Sequence, residues 1–194
     1  MELNIIIAGV GGQGILSIAA VIGQAALMDQ LYIKQSEVHG MSQRGGAVMS
    51  HLRISSNPVS SDLIPQGKAD MIISLEPMEA LRYLDYLSHN GWVITNTKPF
   101  ENIENYPDVD KIIESIRNLP NRIFVDADQI AHELGSVKTS NMVMLGAAIP
   151  YLNISMEQLN EAVNTIFQSK GQLIVENNLK AMIAGMNYCN NFNN

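Results

Sequence analysis

The spacing of apolar and polar residues predicts a chain that alternates between strands and helices. Residues 3–8 (LNIIIA) and 69–75 (ADMIISL) are nearly continuous apolar runs, which are typical of strands buried on both faces of a parallel sheet. After the first run, residues 13–28 change to helical spacing, with Ile15 and Ala19 on one face. The first strand is therefore expected to lead directly into a helix.

The same alternation continues to the carboxyl end. Further strands are predicted at residues 31–36, 48–54, 92–95 (after an Asn90-Gly91 turn) and 122–125. Further helices are predicted at residues 109–118, 126–134 and 172–186, and two more are predicted to begin at Pro77 and after the cap residue Ser155. Asp126 and Gln129 are expected to form a capping box at the start of the second of these ranges. This order predicts an α/β fold, a Rossmann-like three-layer domain with a mostly parallel sheet and C-terminal helices.

The length and the even distribution of these elements favour one domain. A chain of 194 residues can bury a substantial core, and the sequence contains no internal repeat or low-complexity linker. We expect a single α/β domain over residues 1–188 and a frayed, asparagine-rich tail over residues 189–194.

The charge and cysteine content exclude several classes of function. The net charge of -7 argues against a nucleic-acid binder, which needs a basic face to neutralise phosphates. The single cysteine, Cys189, excludes an intramolecular disulfide and any iron–sulfur or zinc site held by cysteines of this chain alone. Hydrophobic residues make up 46% of the chain and charged residues only 16%, which suggests a surface that a partner covers.

The apolar runs also bear on the compartment. The amino-terminal run is too short for a signal peptide or a membrane span and lacks a basic flank, and no later segment is an uninterrupted apolar span. We therefore expect no membrane association and a cytoplasmic location.

The first candidate site is the glycine-rich loop at residues 9–14, GVGGQG, between the first strand and the first helix. Gly9, Gly11 and Gly14 have the spacing G-x-G-x-x-G, and Gly12 and Gln13 lie between them. Backbone N–H groups and the positive end of the helix dipole meet at such a turn, where glycine lets an anion approach the backbone.

Three interpretations of this loop remain open from the residues. In a dinucleotide site, an acidic residue about twenty positions beyond the loop binds a ribose hydroxyl, and Glu37 is the nearest candidate although it begins a long loop. Alternatively, the glycines serve only strand–helix packing. In the third interpretation, the loop faces an anionic group of a cofactor that another subunit mainly holds.

The second candidate site is the polar, glycine-rich segment that follows the second predicted strand. Its candidate binding residues are Glu37, His39, Gln43, Arg44, Gly45 and Gly46. Because it leaves the carboxyl end of a strand, as the first loop does, both are expected to open onto the same sheet edge, where Arg44 can bind a carboxylate or phosphate. His51 and Arg53 follow, either as part of this surface or on the exposed face of an edge strand. No metal-ligand motif is present.

Three ordered motifs carry a resemblance to a known family. They are GVGGQG, SEVHGMSQRGG at residues 36–46, and NMVMLGAAIP at residues 141–150. Together they resemble the gamma-type subunit or domain of the 2-oxoacid:ferredoxin oxidoreductases, and EVHGMSQRGG is most similar to the form in small (beta) subunits of indolepyruvate ferredoxin oxidoreductases. The resemblance covers nearly the whole chain.

The resemblance implies a reaction that this chain cannot perform alone. In that family an arylpyruvate from amino acid catabolism is oxidatively decarboxylated under anaerobic conditions. Thiamine diphosphate with Mg²⁺ activates the 2-oxoacid, coenzyme A takes the acyl group, and [4Fe-4S] clusters pass electrons to ferredoxin. Those cofactors would reside mainly on a large partner subunit, so this chain would bind none of them alone. The resemblance assigns no catalytic residue.

Two alternatives to this assignment can be tested. The first is a free-standing NAD(P)- or flavin-binding Rossmann oxidoreductase. The second is a non-catalytic assembly subunit whose loops contact only protein. A homodimer of the isolated chain also remains open. Within the assembled enzyme, both glycine loops are expected at the subunit interface and near coenzyme A or the diphosphate.

Overall fold

The computed structural model describes residues 1–39, 45–101, 103 and 105–192, with His39, Asn191 and Phe192 described by backbone alone. These residues form a six-stranded sheet. The strands are β1 (Glu2–Val10), β2 (Tyr32–His39), β3 (Ala47–Ser55), β4 (Ala69–Ser74), β5 (Leu87–Asn96) and β6 (Arg122–Val125). The helices are α1 (Ile15–Met28), α2 (Pro77–Arg82), α3 (Val109–Arg117), α4 (Ala127–Glu133), α5 (Ser140–Ala148), α6 (Met156–Phe167) and α7 (Gln172–Phe192).

The sheet confirms the predicted α/β class. Its strand order is β2-β3-β1-β4-β5-β6, and β1, β4, β5 and β6 pair in parallel. The strand β3 runs antiparallel to both of its neighbours. It lies between β1 and β2 and pairs with both along their lengths.

Two cores separate the sheet from helices on either side, which gives the predicted three layers. Ile5 and Ile7 of β1 point into a core with α1 and α4 to α7. Ile6 points to the opposite face, where α2 and α3 cover the sheet. Since these three isoleucines are fully buried, each contributes roughly 1.5–3 kcal/mol of hydrophobic stabilisation.

The position of β3 corrects one expectation from the sequence. His51 and Arg53 do not lie on the exposed face of an edge strand, because β3 is internal to the sheet. His51 is only 2% exposed and Arg53 is half-buried. The alternating pattern of residues 48–54 identified a strand correctly but did not show which strands lie beside it.

The predicted turn at Asn90-Gly91 is wrong. The strand β5 begins at Leu87 and runs through both residues, with a register irregularity opposite Ala69 and Met71. A Cβ on Gly91 would lie 2.8 Å from the carbonyl oxygen of Ala69, so this glycine serves a close approach of two strands.

The buried helix α5 was not predicted from the sequence. Residues 141–148 are all buried, and a helix that is buried all round has no amphipathic period to identify it. The helix α7 is also longer than predicted. It continues to Phe192 and buries Cys189, so residues 189–192 are helical where fraying was expected.

The predicted helix starts are confirmed with one difference. The side chain of Ser155 and that of Gln158 form the reciprocal capping box of α6. Asp126 caps α4 by accepting from the backbone N–H of Gln129 at 3.1 Å, but the Gln129 side chain donates to Glu133. In the described ranges, none of the helices has the length and apolar character that crossing a bilayer requires.

Candidate functional site

The two glycine-rich segments meet at the carboxyl edge of the sheet, as predicted. The backbone N–H of Gly11 donates to the carbonyl oxygen of Gly46 at 2.9 Å, and that of Gly45 donates to the carbonyl oxygen of Gly11 at 3.5 Å. The loop after β1 therefore lies directly against the residues that open β3. Ligands of open α/β sheets bind at this edge.

The glycines of the first loop meet different requirements. A Cβ on Gly9 would lie 3.1 Å from the Cβ of Leu75, and one on Gly14 would lie 2.5 Å from the Nδ2 atom of Asn141. Gly9 and Gly14 thus serve packing within the protein. A Cβ on Gly12, which has φ of +103°, would meet nothing within 4 Å, so the backbone at Gly12 is open to a ligand.

Gln13, predicted to contact a cofactor, uses its side chain on the protein backbone. Its Oε1 atom accepts from the N–H of Val10 at 2.7 Å, and its Nε2 atom donates to the carbonyl oxygen of Leu75 at 3.3 Å. These bonds hold the loop between the ends of β1 and β4. Gln13 therefore shapes the loop, and both polar atoms of its side chain are already bonded to the backbone.

The loop presents backbone donors to the open side. Among the hydrogen bonds of the described residues, none uses the backbone N–H of Gly12 or Gly14. Gly14 precedes the first residue of α1 with φ of 88° and no side-chain cap. The unpaired N–H groups and the helix dipole both favour an anion here.

A cavity of about 470 Å³ opens beside this loop. Its cationic side chains are Lys138 and Lys170, and no carboxylate is among its described lining residues. The ammonium of Lys170 lies 5.1 Å from the ring centre of Phe167. Two lysines without an acidic neighbour in the lining make this cavity locally positive in a protein whose net charge is -7.

Exposed apolar side chains flank the loop on both sides. Val137 and Ile174 line the cavity and are 60% and 40% exposed. Leu173, which precedes Ile174 in α7, is 67% exposed. On the other side, Leu16 is 44% exposed and borders a second cavity of about 300 Å³ with Val48. We call Leu16, Val137, Leu173 and Ile174 the apolar rim. Exposed apolar groupings of this kind are typical of surfaces that a partner covers.

Glu37 does not lie where a dinucleotide site requires it. It pairs with Ser50 of β3, and Ser50 pairs with Ile7 of β1, so Glu37 is two strands, roughly 10 Å, from β1. Its Oε1 atom accepts from Gln35 at 3.1 Å. The inserted strand therefore separates the acidic residue from the glycine loop that it would have to complement.

Three other predicted residues fall partly or wholly outside the described part. Gln43 and Arg44 lie in the undescribed segment, and of His39 only the backbone is described, paired with Val48. Their proposed role at the loop remains a prediction.

His51 and Arg53 bind the segment at residues 61–64 instead of the glycine loop. The Nδ1 atom of His51 accepts from the backbone N–H of Ile64 at 3.2 Å. Arg53 donates to the carbonyl oxygens of Ser61 and Leu63 at 3.1 and 3.4 Å. Burial lowers the pKa of His51, and the negative charge of Asp62 partly opposes this effect. Both residues serve the fold.

Sequence reasoning assigned no role to Asn141, Lys138 or Lys170, although Asn141 begins the third motif. Asn141 is 8% exposed, and its Nδ2 atom donates to the carbonyl oxygen of Gly14 at 3.2 Å. A single polar residue at the start of an otherwise apolar run was the available signal. The two lysines come together at the cavity only through the tertiary fold.

The sequence matches known proteins over nearly its full length. Residues 4–188 match the family described as pyruvate ferredoxin/flavodoxin oxidoreductase. The indolepyruvate oxidoreductase subunit IorB of Archaeoglobus fulgidus is 41% identical over 96% of this chain and 95% of its own. The protein of the same name in Pyrococcus horikoshii is 39% identical over 95% of both chains.

Solved structures share the fold. The gamma subunit of a keto/oxoacid ferredoxin oxidoreductase from Geobacter sulfurreducens has a TM-score of 0.72 over 97% of this chain and 99% of its own, at 21% identity. A 2-oxoglutarate:ferredoxin oxidoreductase from Magnetococcus marinus, with 2-oxoglutarate, coenzyme A and succinyl-CoA bound, has a TM-score of 0.77 at 24% identity over 98% of this chain and 31% of its own. The match over residues 4–188, together with the two relatives of nearly equal length, shows that this chain belongs to the pyruvate ferredoxin/flavodoxin oxidoreductase family.

Proposed function

We propose that this chain is the small subunit of a 2-oxoacid:ferredoxin oxidoreductase that acts on arylpyruvates, with indolepyruvate as the expected substrate. The observation that carries this proposal is the similarity, over nearly the whole chain, to two proteins named indolepyruvate oxidoreductase subunit. The separation of Glu37 from the glycine loop by β3 argues against the alternative of a free-standing NAD(P) or flavin enzyme.

We expect the cofactors of the reaction to be bound by a larger partner subunit. An iron–sulfur cluster takes four cysteine ligands, and this chain has one cysteine, which is buried. Among the residues that the structure describes, no three His, Cys, Asp or Glu side chains form a group that could hold a metal ion. Thiamine diphosphate with Mg²⁺ would activate the 2-oxoacid, and the clusters would carry electrons to ferredoxin.

The contribution of this chain is to bind an anionic group and to close the site. The backbone of the GVGGQG loop and the start of α1 would face the phosphates of coenzyme A or the diphosphate of the thiamine cofactor. Lys138 and Lys170 add positive charge on one side of that position. The proposed binding residues are Gly12 and Gly14, whose backbone N–H groups bond to none of the described residues. Gly9, Gly11, Gln13, Gly45 and Gly46 act through the shape of the loop. Arg44, His39 and Gln43 are expected on the adjoining segment.

The apolar rim supports a position for the large subunit over this face. It lies on both sides of the same loop, so a partner seated there would exclude water from the bound anion. Exclusion of water strengthens every electrostatic contact in the site. The ligand would then be held between two subunits, and its affinity would depend on residues of this chain. If the chain served only assembly, the ligand affinity would not depend on its residues.

The proposed assignment can be tested by anaerobic purification of the tagged chain from its native cells. We expect a complex with a large subunit, iron–sulfur absorbance, and coenzyme A-dependent dye reduction that is faster with indolepyruvate than with pyruvate or 2-oxoglutarate. A colourless chain without a partner would contradict the proposal, and micromolar binding of NAD(P) or a flavin to that chain would favour the free-standing enzyme.

A second measurement separates ligand binding from assembly. Arg44→Ala is expected to raise the KM for coenzyme A or for thiamine diphosphate in the intact complex, because a bidentate cation would be lost. If loop variants prevent assembly but leave every assembled complex with normal kinetics, the chain is an assembly subunit and its loops contact only protein.

A further inference from the structure

We propose that Asn141 is a positioning residue, which holds the glycine loop in the conformation that binds the anionic reactant and acts through Gly14. The inference rests on the proposed function, since it assumes a ligand at the loop. It gives a role to the third motif, NMVMLGAAIP, which begins at Asn141 and is 127 positions from Gly14.

The contact between the two residues requires both an amide at position 141 and a glycine at position 14. The Nδ2 atom of Asn141 donates to the carbonyl oxygen of Gly14 at 3.2 Å. A Cβ on Gly14 would lie 2.5 Å from the same Nδ2 atom, so any side chain at Gly14 would displace the amide. Asn141 therefore occupies the space that the glycine leaves.

The orientation of the Asn141 amide is determined by its second polar atom. The Oδ1 atom accepts from the backbone N–H of Met142 at 2.9 Å, which turns the Nδ2 atom toward the loop. Asn141 also lies in the first turn of α5, in which all residues from 141 to 148 are buried. The side chain is thus an anchor on a buried element and not a mobile surface group.

Three contacts together define the loop. Gly46 binds it at Gly11, the Gln13 side chain binds it to Val10 and Leu75, and Asn141 binds its last residue. Gly12 lies between these anchors and has free space around its Cα atom. Without Asn141, the segment that presents the Gly12 and Gly14 N–H groups would lose its anchor to α5. A ligand would then have to order this segment on binding, which lowers affinity.

Asn178 offers a matched control. It is 6% exposed and lines the same cavity, but its Nδ2 atom donates to the carbonyl oxygen of Ile174 within α7. Asn178→Ala therefore removes a buried amide from the cavity wall without touching the loop. Comparison with Asn141→Ala separates loss of the loop anchor from general damage to the cavity.

The experiment uses the purified complex with Asn141→Ala, Asn141→Ser or Asn178→Ala in the small subunit. Serine is too short to reach Gly14 but is the milder change if the alanine variant assembles poorly. Steady-state assays would measure kcat and the KM values for coenzyme A, thiamine diphosphate and indolepyruvate, and hydrogen–deuterium exchange would follow the backbone of residues 9–16.

We expect both Asn141 variants to raise the KM for coenzyme A or thiamine diphosphate about tenfold, as the loss of one buried hydrogen bond predicts. The kcat and the KM for indolepyruvate should stay within about twofold. Exchange of residues 9–16 should accelerate in both Asn141 variants and should stay unchanged in Asn178→Ala, because the amide of Asn178 bonds within α7 and not to the loop. A general loss of structure would lower kcat and would not raise one KM selectively.

Two results would contradict different parts of the argument. Unchanged exchange of residues 9–16 in the Asn141 variants would overturn the inference, whatever the ligand of the loop is. Faster exchange with unaltered KM values for both coenzyme A and thiamine diphosphate would support the anchor but would overturn the proposed ligand at the loop.

Discussion

Gly146 of α5 and Gly185 of α7 bring the two helices into backbone contact. A Cβ on Gly146 would lie 2.0 Å from the carbonyl oxygen of Met182, and one on Gly185 would lie 2.0 Å from that of Val143. The obstructing atoms belong to backbone that cannot rotate away. This crossing fixes α5, and α5 carries Asn141 to the glycine loop.

Substitution at this crossing should destabilise the whole subunit. Gly146→Ala or Gly185→Ala is expected to lower the free energy of unfolding by about 2–3 kcal/mol, because the helices must move apart and open the core. The control is Gly23→Ala in α1, where the nearest atom to an added Cβ is 4.0 Å away. Removing a helical glycine there should stabilise the protein by roughly 0.5–1 kcal/mol. Chemical denaturation would measure the free energy of unfolding of all three variants. An equal change in this free energy for Gly23→Ala and Gly185→Ala would contradict the close crossing.

Gly12 should be required for ligand affinity more than for folding. Gly12→Ala places a methyl group in the open space that the proposed anion would occupy, so we expect a higher KM for coenzyme A or thiamine diphosphate. The matched control is Gly171→Ala. Gly171 has φ of +102°, close to the +103° of Gly12, and a Cβ there also meets nothing within 4 Å. Both variants should therefore lose about 1–2 kcal/mol of stability from backbone strain, but only Gly12→Ala should affect the KM.

The positive charge of the cavity can be tested through Lys138. Lys138→Glu should raise the KM for the anionic reactant about tenfold or more at low salt, with a smaller effect at high ionic strength, because screening weakens exposed charge interactions. Lys111→Glu makes the same charge change on α3, which covers the other face of the sheet. If Lys111→Glu has an equal effect, net charge and not the cavity determines affinity.

The apolar rim should be required for assembly. Leu173→Asp places a charge where the large subunit is expected to bury an apolar side chain, so the variant should fail to copurify with that subunit while keeping its own fold. Leu27→Asp changes a residue that is also more than half exposed, at the end of α1 roughly 20 Å from the glycine loop. If Leu173→Asp copurifies normally with the large subunit, the interface lies elsewhere. The same conclusion follows if only Leu27→Asp fails to copurify.

His51 should make stability depend on pH. Burial lowers its pKa below the ordinary 6.5, so the folded state binds fewer protons than the unfolded state around that pH. The free energy of unfolding should therefore be highest above pH 6.5 and fall as the pH decreases, until the folded-state pKa is passed. In His51→Asn, the amide oxygen can still accept from Ile64 but does not titrate, so this part of the pH dependence should disappear. Thermal unfolding between pH 5 and 8 would measure the stability of the unchanged chain and of His51→Asn. The same pH dependence in both would contradict a contribution from His51.

Features that depend on neighbouring residues were predictable from the sequence. The apolar runs of β1 and β4, the cap at Ser155 and the glycine turn before α1 all follow from interactions within a few residues, because a buried strand, a helix start and a tight turn each require particular residue types locally. The meeting of the two glycine segments also followed, since carboxyl ends of strands in one direction share an edge.

The remaining features were decided by which distant segments pack together. Because β3 lies next to β1, Glu37 of β2 is distant from the loop and His51 is buried. The pattern of residues 48–54 fits an internal strand and an edge strand equally well, so it did not reveal this order. The helix α5 lacks a polar face because other elements surround it. The bond between Asn141 and Gly14 and the crossing of Gly146 with Gly185 join residues far apart in the chain. Their energies come from nonlocal packing, which no local pattern encodes.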